Sequence, residues 1–322
     1  MITNYKSVFL NYLEEKAQVK EPKNLYQPIA YILSLGGKKL RPILTLMATD
    51  IFGGNHKKAL DAALAIEVFH NFTLIHDDIM DAAPLRRGNQ TVHEKWDVNT
   101  GILSGDAMLI LAYQYLENYD APTFKKLTSL FSKTALEVCE GQQMDIDFET
   151  RNDVTIKEYI KMISLKTSIL VAAALKMGAV IADASKEDTN HIYNFGLNLG
   201  IAFQLQDDYL DAFGNPKTFG KQVGGDIIEN KKTYLYIKAL ELSSESEKEV
   251  LRGLFNTEQQ DHQQKIDKVK AVFDTSGATE KTKNAIKKYT QKAFEVLESI
   301  SITSEKKQLL KEFGEGLMNR NV

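Results

Sequence analysis

Apolar residues recur at every third or fourth position along most of the chain, a spacing that places them on one face of an α-helix. The pattern is clearest in residues 62–73, 109–116 and 192–203. Breaks that contain glycine or proline separate the periodic segments. No two short alternating apolar runs are joined by Asn-Gly or Asp-Gly, so no β-hairpin is expected. We therefore predict an all-α fold of roughly ten to thirteen helices, several longer than the average helix.

The composition is that of an ordinary globular protein, with 322 residues, 43% hydrophobic and 26% charged. This length allows either two domains or one large helical domain. Residues after Ser243 are richer in charge and poorer in bulky apolar groups, so we expect a peripheral layer of helices there. We predict a single domain over residues 1–322.

Charge and cysteine content argue against several other classes of protein. A net charge of -3, with basic residues spread along the chain, provides no basic surface for nucleic acid. The single cysteine, Cys139, rules out an internal disulfide and is typical of a reducing compartment. The N-terminus lacks the apolar run of a signal peptide, and the apolar residues 169–182 are interrupted by Lys176 and too short to span a bilayer. We therefore expect a cytoplasmic protein without a membrane span.

The motif Asp-Asp-x-x-Asp occurs twice, at residues 77–81 and 207–211. Each copy follows an apolar helical segment, so its carboxylates are expected at the end of a core-facing helix. Residues four positions apart lie on one helix face, about 6 Å apart along the axis. The first and last carboxylates of each motif should therefore point the same way.

One acidic cluster alone could equally be a solvated helix face, but two clusters beside buried segments need compensating charge, because a buried unpaired charge is very costly. No basic residue lies at matching helical spacing, which favours divalent cations. Ligands that are all oxygen suit Mg²⁺, which keeps waters and shares substrate phosphates. An EF-hand is a poor alternative because the alternating ligands and central glycine of a calcium loop are missing. The predicted magnesium ligands are Asp77, Asp78, Asp81, Asp207, Asp208 and Asp211.

A carboxylate–magnesium site implies an anionic ligand, and several basic elements could bind one. The glycine pair at residues 36–37 lets the backbone approach an anion closely, although a helix end followed by an exposed basic turn is the simpler interpretation of this segment alone. Two adjacent arginines follow the first acidic cluster, and arginine binds phosphate through two hydrogen bonds. Together, the basic elements predict a cavity for two polyanions. They comprise Lys38, Arg41, Arg86, Arg87, Lys166, Lys221 and Lys231.

His70 lies seven residues before Asp77, hence on roughly the same face of the predicted helix. A lone histidine among apolar residues is more often a core group. Its position two turns below the carboxylates nevertheless favours contact with the ligand.

In these motifs the sequence resembles the trans-isoprenyl diphosphate synthases of the polyprenyl synthetase family. The resemblance covers nearly the whole chain and is most specific in residues 36–88 and 166–233. The matching strings occur in the family's order and spacing. They are Gly-Gly-Lys-x-x-Arg-Pro at 36–42, Glu67-x-x-His70, both Asp-rich motifs, Arg86-Arg87-Gly88, Lys166-Thr167, Phe203-Gln204-Leu205-Gln206, Gly220-Lys221 and residues 226–231.

The resemblance implies antiparallel helices around a deep central cavity, usually in a homodimer. It implies a head-to-tail condensation of isopentenyl diphosphate with an allylic diphosphate, and we expect three Mg²⁺ ions per active site. The implied ligands of isopentenyl diphosphate are Lys38, Arg41, His70 and Arg87. Those of the allylic diphosphate are Arg86, Lys166, Thr167, Gln204, Lys221 and Lys231. Lys166, Thr167 and Gln204 would also stabilise the allylic carbocation and count as catalytic.

Product length in this family depends on cavity depth along the first Asp-rich helix. The residues five and four positions before Asp77 are Phe72 and Thr73, which would form the floor. One aromatic residue followed by a small one resembles some synthases that make twenty-carbon products. We therefore expect geranylgeranyl diphosphate, with farnesyl diphosphate as the next candidate.

Two alternatives stay open at this point. A class I terpene cyclase of the same helical type usually pairs one Asp-rich motif with a different second motif and lacks an isopentenyl site. A non-catalytic subunit of a hetero-oligomeric synthase would be expected to lose acidic-motif residues. Both Asp-rich motifs are complete here, which argues against each alternative.

Overall fold

The computed structural model of the protein describes residues 2–214, 223–256 and 261–318. The predicted diphosphate ligand Lys221 lies outside these residues. Within them, helices and one short hairpin make up all the regular secondary structure, which confirms the predicted all-α fold class.

Sixteen α-helices follow one another in the described residues. The first seven are α1 (Ile2–Lys16), α2 (Lys23–Ser34), α3 (Leu40–Ile51), α4 (Leu60–Met80), α5 (Val92–Lys95), α6 (Val98–Leu116) and α7 (Ala121–Thr150), with a 3₁₀ turn, His56–Ala59, before α4. The other nine are α8 (Ile156–Ile163), α9 (Ile169–Ile181), α10 (Lys186–Phe213), α11 (Gly225–Ile228), α12 (Tyr234–Leu242), α13 (Glu245–Asn256), α14 (His262–Thr275), α15 (Ala278–Glu298) and α16 (Ser304–Met318). The predicted number of helices is too low, chiefly because α5 and α11 have 4 residues each and are too short to show a period.

Local sequence signals explain where several helices begin. Asp97 precedes α6, and its side chain accepts a hydrogen bond from the N–H of Thr100 at 2.9 Å. Thr155 and Glu158 form a capping box at the start of α8, in which the Glu158 carboxylate accepts the N–H of Thr155 at 2.9 Å. Such caps satisfy backbone N–H groups that have no partner inside the helix.

Helices α8 and α9 are joined without a break by a wider, π-helical turn, Ser164–Ser168. This turn carries Lys166 and Thr167, and π turns within helices occur often at functional sites. Gly141 of α7 packs closely against it, since a Cβ at that glycine would lie 2.3 Å from the backbone N of Lys166. A glycine is therefore required where α7 meets the turn.

The joined helix, residues 156–181, is long and apolar enough to cross a membrane by length and composition. However, 67% of its most apolar window is buried within the protein, as expected for a core helix of a soluble protein. The sequence interpretation placed this segment at residues 169–182 and judged it too short. The apolar pattern in fact continues through the π turn into α8.

A two-stranded hairpin follows α4, contrary to the expectation of none. Its strands, β1 (Leu85–Arg86) and β2 (Asn89–Gln90), pair in antiparallel register. Arg87 and Gly88 form the turn with φ of 54° and 76°, the left-handed conformation that two-residue hairpin turns need. The signal was hidden because arginine takes the place of the usual Asn or Asp, and two-residue strands are too short to alternate.

The chain forms two compact units. The first comprises residues 1–133 and 173–190, and the second comprises residues 134–172 and 191–322. In the first unit, residues 62–69 of α4 are all buried, and α4 packs against α3 and α6. The expectation of a single domain over residues 1–322 stays a prediction.

The hydrophobic core of the second unit includes residues from α13 and α14. Leu251, Phe255 and Phe273 are buried in the same cluster as Tyr159. The expectation that the chain after Ser243 is only a peripheral layer is therefore wrong for these two helices. Their buried residues recur at helical spacing but are outnumbered by polar and charged ones, so the composition of the segment hides the buried face.

Candidate active site

The first Asp-rich motif lies at the C-terminal end of α4, in the first unit. Asp77 is half-buried, Asp78 is buried and Asp81 is exposed. The N–H of Asp81 donates to the backbone O of Asp77 at 2.9 Å, which closes the last turn of the helix. This turn keeps Asp77 and Asp81 on one face, as their spacing predicts.

Asp78 is paired with Arg86 of the hairpin. The Oδ1 of Asp78 accepts hydrogen bonds from Nε of Arg86 at 2.9 Å and from its Nη2. Burial raises the pKa of Asp78, while the hydrogen bonds and charge of Arg86 oppose that rise. The Oδ2 of Asp78 has no hydrogen-bond partner among the described residues. The structure thus joins a predicted metal ligand to a predicted diphosphate ligand and leaves one carboxylate oxygen for a cation.

A buried ion pair that the sequence interpretation missed links Lys39 to α4. The Nζ of Lys39 lies 3.0 Å from Oε1 of Glu67, and these side chains are 1% and 2% exposed. Asn71 donates to the same Glu67 oxygen at 3.1 Å. The pair fixes the basic turn to the helix that carries the first Asp-rich motif. A second lysine directly after Lys38 gave no sign in the sequence that it would be buried.

Arg87 is held against the glycine turn. Its Nη1 donates to the backbone O of Gly36 at 2.7 Å. Gly37 has a φ of +103°, and a Cβ there would lie 2.9 Å from Cζ of Arg87. Glycine is favoured at this position by its backbone conformation, and a Cβ there would also displace the guanidinium of Arg87. Lys38 follows on the same turn and is exposed.

His70 lies on α4 among several cations. Desolvation lowers the pKa of His70 well below its ordinary value, and the charges of Arg41, Arg87 and Lys39 lower it further. The imidazole is therefore neutral near pH 7. Burial lowers the pKa of Arg41 to about 10, so the guanidinium stays charged, and its Nε has no hydrogen-bond partner within the described residues. A buried, unsatisfied guanidinium nitrogen near other cations is suited to an anionic ligand.

The two predicted floor residues have different surroundings. The ring of Phe72 is buried, with ring-centroid distances of 5.5 Å to Phe69 and 4.8 Å to His76. Thr73 is half-buried and lies one helical turn before Asp77. Of the two, Phe72 is the bulky group held in place by neighbouring rings.

The second unit contains a cavity of about 220 Å³ that collects most of the other predicted residues. Its lining comes from α7, α8, α10, α11, the π turn and the segment between α11 and α12. The predicted residues in it are Lys166, Thr167, Gln204, Asp207, Asp208, Asp211 and Lys231. Asp145, Tyr159 and Asp226 also line it, and the sequence interpretation gave them no role.

Asp208 is buried and held by two side chains. Its Oδ2 accepts a hydrogen bond from the hydroxyl of Tyr159, and its Oδ1 accepts one from Nε2 of Gln204 at 2.8 Å. Burial raises the pKa of Asp208 to about 6, against the lowering effect of these two hydrogen bonds. Asp208 therefore orients Gln204 in the cavity wall as well as contributing a carboxylate.

Lys166 is paired with Asp145, the main site residue that sequence reasoning missed. Its Nζ lies 2.5 Å from Oδ2 of Asp145, and the two side chains are 28% and 21% exposed. Asp145 follows Gly141 by four residues and precedes the buried Phe148 by three on α7. These spacings place Asp145 on the same face of α7 as Gly141 and Phe148. A carboxylate on that face is the signal that could have revealed the role of Asp145.

Asp211 holds the beginning of α11. Its Oδ2 accepts the backbone N–H of Asp226 at 2.9 Å. Burial, and then the charges of Asp208 and Asp211, raise the pKa of Asp226 well above its ordinary value. Burial lowers the pKa of Lys231, but the charges of Asp226 and Glu229 outweigh this effect and raise it overall. This group of carboxylates would be stabilised by further positive charge.

No preformed metal site with three or more histidine, cysteine, aspartate or glutamate side chains occurs in the parts of the chain that the structure describes. This suits Mg²⁺, which is commonly bound by one or two carboxylates together with waters and substrate phosphates. The donor set in each unit fits such an ion, because carboxylate oxygens lie beside cationic groups suited to phosphate.

Comparison with known proteins decides the family. The family model described as Polyprenyl synthetase matches residues 22–274. The chain belongs to this family. A geranylgeranyl pyrophosphate synthase of Geoglobus acetivorans is 36% identical over 311 residues, which cover 96% of this chain and 95% of the relative.

Two solved structures of the polyprenyl synthetase type resemble the chain over nearly its whole length. A crystal structure of a geranylgeranyl pyrophosphate synthase is 54% identical, with a TM-score of 0.96 and coverage of 100% of this chain and 99% of the other. A polyprenyl synthase from Caulobacter crescentus CB15, in complex with calcium and isoprenyl diphosphate, is 26% identical, with a TM-score of 0.89 and coverage of 99% and 96%.

These similarities confirm the predicted family and the predicted class of enzyme, a short-chain trans-prenyltransferase. The roles of individual residues in this polyprenyl synthetase stay predictions, to which the structure adds geometry. It also adds polar residues to the site, among them Asp145, Tyr159 and Asp226.

Proposed function

We propose that this polyprenyl synthetase is a geranylgeranyl diphosphate synthase, which joins isopentenyl diphosphate head to tail to an allylic diphosphate and stops at twenty carbons. The observation that carries the proposal is the cavity of the second unit, where Lys166, Thr167 and Gln204 lie with Asp207 and Lys231. It combines cations and hydrogen-bond donors for a diphosphate with carboxylates for a divalent cation.

In this proposal the allylic diphosphate binds in the cavity of the second unit. Lys166 is held by Asp145 at 2.5 Å, which fixes the ammonium while leaving N–H groups for a phosphate oxygen. The Nε2 of Gln204 is committed to Asp208, so Oε1 is the remaining polar atom of that amide. A fixed oxygen dipole of this kind stabilises positive charge on the allylic carbon. The predicted contributions of Arg86, Lys221, Lys231 and the Thr167 hydroxyl remain part of the proposal.

The isopentenyl diphosphate binds at the basic turn of the first unit. Arg41 provides a guanidinium whose Nε has no hydrogen-bond partner within the described residues. Arg87 provides a second guanidinium. A neutral His70 donates one ring N–H without adding charge. The turn itself is held by the Lys39–Glu67 pair and by the hydrogen bond from Arg87 to Gly36. Lys38, exposed on this turn, completes the predicted set.

Mg²⁺ is the proposed cofactor, with three ions expected per site. Asp77, Asp81 and Asp207 are proposed to hold it, with Asp78, Asp208 and Asp211 close by in their motifs. When bound, Mg²⁺ neutralises negative charge that develops on the departing diphosphate. The calcium in the Caulobacter relative supports a divalent cation at this kind of site.

In the proposed reaction the C1–O bond of the allylic substrate breaks, and its electron pair leaves with the diphosphate. The ammonium groups of Lys166 and Lys231 stabilise that anion, and the Gln204 carbonyl and Thr167 hydroxyl stabilise the allylic cation. The π electrons of isopentenyl diphosphate form the new carbon–carbon bond. A proton then passes to the released diphosphate, which restores an alkene without a protein base.

Product length is proposed to depend on Phe72. The growing chain is expected to run along α4, where Phe72 is fixed between the rings of Phe69 and His76. Thr73 is small and leaves the adjacent helix face open. One fixed aromatic ring at this depth supports a twenty-carbon product.

The proposed assembly is a homodimer in the cytoplasm. On α6, Leu103 and Ile110 are 60% and 59% exposed, and Ile102 is 41% exposed. Several large apolar side chains exposed on one helix form the kind of patch that marks protein–protein interfaces. A second copy of this chain is the proposed occupant, as the family resemblance implies.

The release of diphosphate tests the proposed reaction. Wild-type protein with Mg²⁺ should release one diphosphate for each isopentenyl diphosphate consumed, and none from an allylic diphosphate alone. A terpene cyclase would instead release it from the allylic substrate alone, and a non-catalytic subunit would release none. Lys166→Met should abolish release, whereas Lys161→Met, at an exposed position of α8, should leave it unchanged.

A further inference from the structure

We infer that Lys265 of α14 is a positioning residue that fixes the turn carrying Asp226 and Lys231 in the cavity of the second unit. The inference rests on the proposed function, because it assigns Lys231 to the allylic diphosphate. Lys265 lies 34 positions after Lys231 in the sequence and does not line the cavity itself.

The turn brings Asp226 and Lys231 together. The backbone N–H of Lys231 donates to the backbone O of Asp226 at 2.9 Å. Between them, Asn230 adopts a φ of +59°, in the left-handed region that asparagine enters more readily than other residues with a Cβ. Asparagine in this conformation is common just after the end of a helix, and contacts of its side chain fix such a turn further.

The turn is anchored at both ends. At its start, Asp211 accepts the N–H of Gly224 on its backbone O at 2.6 Å and the N–H of Asp226 on its Oδ2 at 2.9 Å. At its end, the Nζ of Lys265 donates to Oδ1 of Asn230 at 2.6 Å and to the backbone O of Ile228 at 3.3 Å. Lys265 therefore holds the left-handed residue directly and caps the last turn of α11.

The neighbouring residue of α14 supports the same contact. Gly224 has a φ of +86°, and a Cβ there would lie 2.6 Å from Cδ1 of Ile266. Ile266 thus packs against the beginning of the turn while Lys265 binds its end. One helix turn of α14 holds both ends of the segment.

A second lysine bonds to the same asparagine from another direction. The Nζ of Lys232 donates to the backbone O of Asn230 at 3.1 Å. The ammonium groups of Lys232 and Lys265 lie 5.3 Å and 5.4 Å from the centroid of the Phe255 ring. Asn230 thus offers one oxygen to each of two cations, and both cations lie within cation–π distance of the Phe255 ring.

Packing alone does not explain a lysine at position 265. The residue is 4% exposed and lies one turn before the buried Val269, where an apolar side chain would suit the core. Burial disfavours an ammonium group and lowers the pKa of Lys265. Both of its hydrogen-bond acceptors are uncharged oxygens of the turn, so the bonds that offset this cost are those that shape the turn.

If Lys265 positions Lys231, its loss should affect the two substrates differently. Without its donor, Asn230 can leave the left-handed region, and Lys231 and Asp226 then lose their alignment. Lys265→Met, which keeps the length of the side chain, should raise the KM for the allylic diphosphate about tenfold. The KM for isopentenyl diphosphate, assigned to the first unit, should not change.

The matched control is Lys268→Met, an exposed position on the same helix whose Nζ bonds only to Gln264 in its described contacts. A second test variant is Asn230→Gly, which removes the acceptor and introduces no steric strain at a φ of +59°. Glycine populates positive and negative φ about equally, so the turn is no longer fixed, and the variant should reproduce the effect of Lys265→Met. This variant keeps the test decisive if Lys265→Met folds poorly.

The decisive experiment is a double-mutant cycle with Lys231→Met. If Lys265 acts through Lys231, the double variant should lose no more allylic affinity than Lys231→Met alone. The inference would be overturned if the effects of Lys265→Met and Lys231→Met on the allylic KM multiply in the double variant. It would also be overturned if Lys265→Met and Asn230→Gly both keep the wild-type KM for the allylic diphosphate. The affinity for inorganic diphosphate with Mg²⁺, measured by calorimetry, should fall in the same variants whose KM for the allylic diphosphate rises. That binding measurement tests the role of Lys265 even if the wild type shows no transferase activity. A wild type without transferase activity would overturn the proposed function and not the role of Lys265.

Discussion

The Nζ of Lys166 lies 2.5 Å from Oδ2 of Asp145, so a lysine assigned to substrate binding is already held by a carboxylate from another helix. Both groups line the cavity of the second unit. A fixed ammonium group loses less conformational entropy when it binds a phosphate than a free one does. If Lys166 binds the diphosphate as we propose, Asp145 holds its ammonium group ready for that contact.

The Asp145–Lys166 pair leads to a first prediction. Asp145→Asn keeps the shape of the side chain but replaces a charge-assisted hydrogen bond with a weaker neutral one. It should lower kcat with the allylic substrate about tenfold, a loss of ~1.4 kcal/mol of transition-state stabilisation. Steady-state kinetics would measure this. Asp147→Asn, exposed two residues further along α7, is the control, and an equal loss there would contradict the role of Asp145.

The glycine turn leads to a second prediction, which separates backbone strain from a specific contact. Gly37→Ala introduces a Cβ 2.9 Å from Cζ of Arg87 at a φ of +103°. Gly53→Ala has a similar conformation, with a φ of +83°, but no atom within 4 Å of the added Cβ. Each substitution should destabilise the protein by on the order of 1 kcal/mol. Only Gly37→Ala should also raise the KM for isopentenyl diphosphate, and an equal KM in both variants would show that Arg87 is not involved.

The sequence alone predicted the fold class, both Asp-rich motifs and half of the residues that line the cavity. Helical period and the motifs can be seen directly along the chain, which is why they could be predicted. In the structure, Lys166, Thr167 and Gln204 line one cavity as expected. Asp145, Lys39 and Lys265 were not predicted. Their importance depends on partners 21, 28 and 35 positions away in the chain, Lys166, Glu67 and Asn230, and no local pattern encodes such pairings.

The hairpin after α4 was missed for a different physical reason. Its turn places Arg87 at a φ of 54°, where the usual hairpin signal is Asn or Asp. The side chain of Arg87 donates a hydrogen bond to Gly36, outside the hairpin. Arginine at this turn position therefore has a tertiary partner that no local pattern encodes.

The buried Asp208 leads to a third prediction, on pH. Burial raises its pKa to about 6 in the folded protein, whereas the unfolded value is about 3.9. A raised pKa means that ionised Asp208 costs stability, and this cost grows as the pH rises from about 4 to above 6. Asp208→Asn removes the charge at every pH. In Mg²⁺-free buffer, its stability relative to the wild type should therefore be higher at pH 8 than at pH 4 by on the order of 2 kcal/mol.

Urea unfolding at the two pH values would measure this difference. Asp207→Asn is the comparison, since Asp207 is only half-buried in the same motif. A stability difference for Asp208→Asn that does not depend on pH, or that has the opposite sign, would contradict the raised pKa.

Phe72 leads to a fourth prediction, on product length. Phe72→Ala removes a buried ring from between Phe69 and His76 and should yield products longer than those of the wild type. Phe131→Ala removes a comparable buried ring, which packs against Phe69 and Tyr113, but leaves both rings that hold Phe72 in place. Its products should keep the wild-type length, although each substitution should cost about 3–5 kcal/mol of stability. Separation of the hydrolysed prenols by length would measure this difference. Unchanged product length in Phe72→Ala would show that Phe72 does not limit the length of the product.

The length of the product made by the wild-type protein tests the proposed geranylgeranyl diphosphate synthase activity most directly. Purified protein with Mg²⁺ would receive isopentenyl diphosphate and, in separate reactions, dimethylallyl, geranyl or farnesyl diphosphate as the allylic primer. We expect elongation from each primer to geranylgeranyl diphosphate, with no longer chains. Products that end at fifteen carbons or exceed twenty, or folded protein that elongates no primer, would contradict the proposed function.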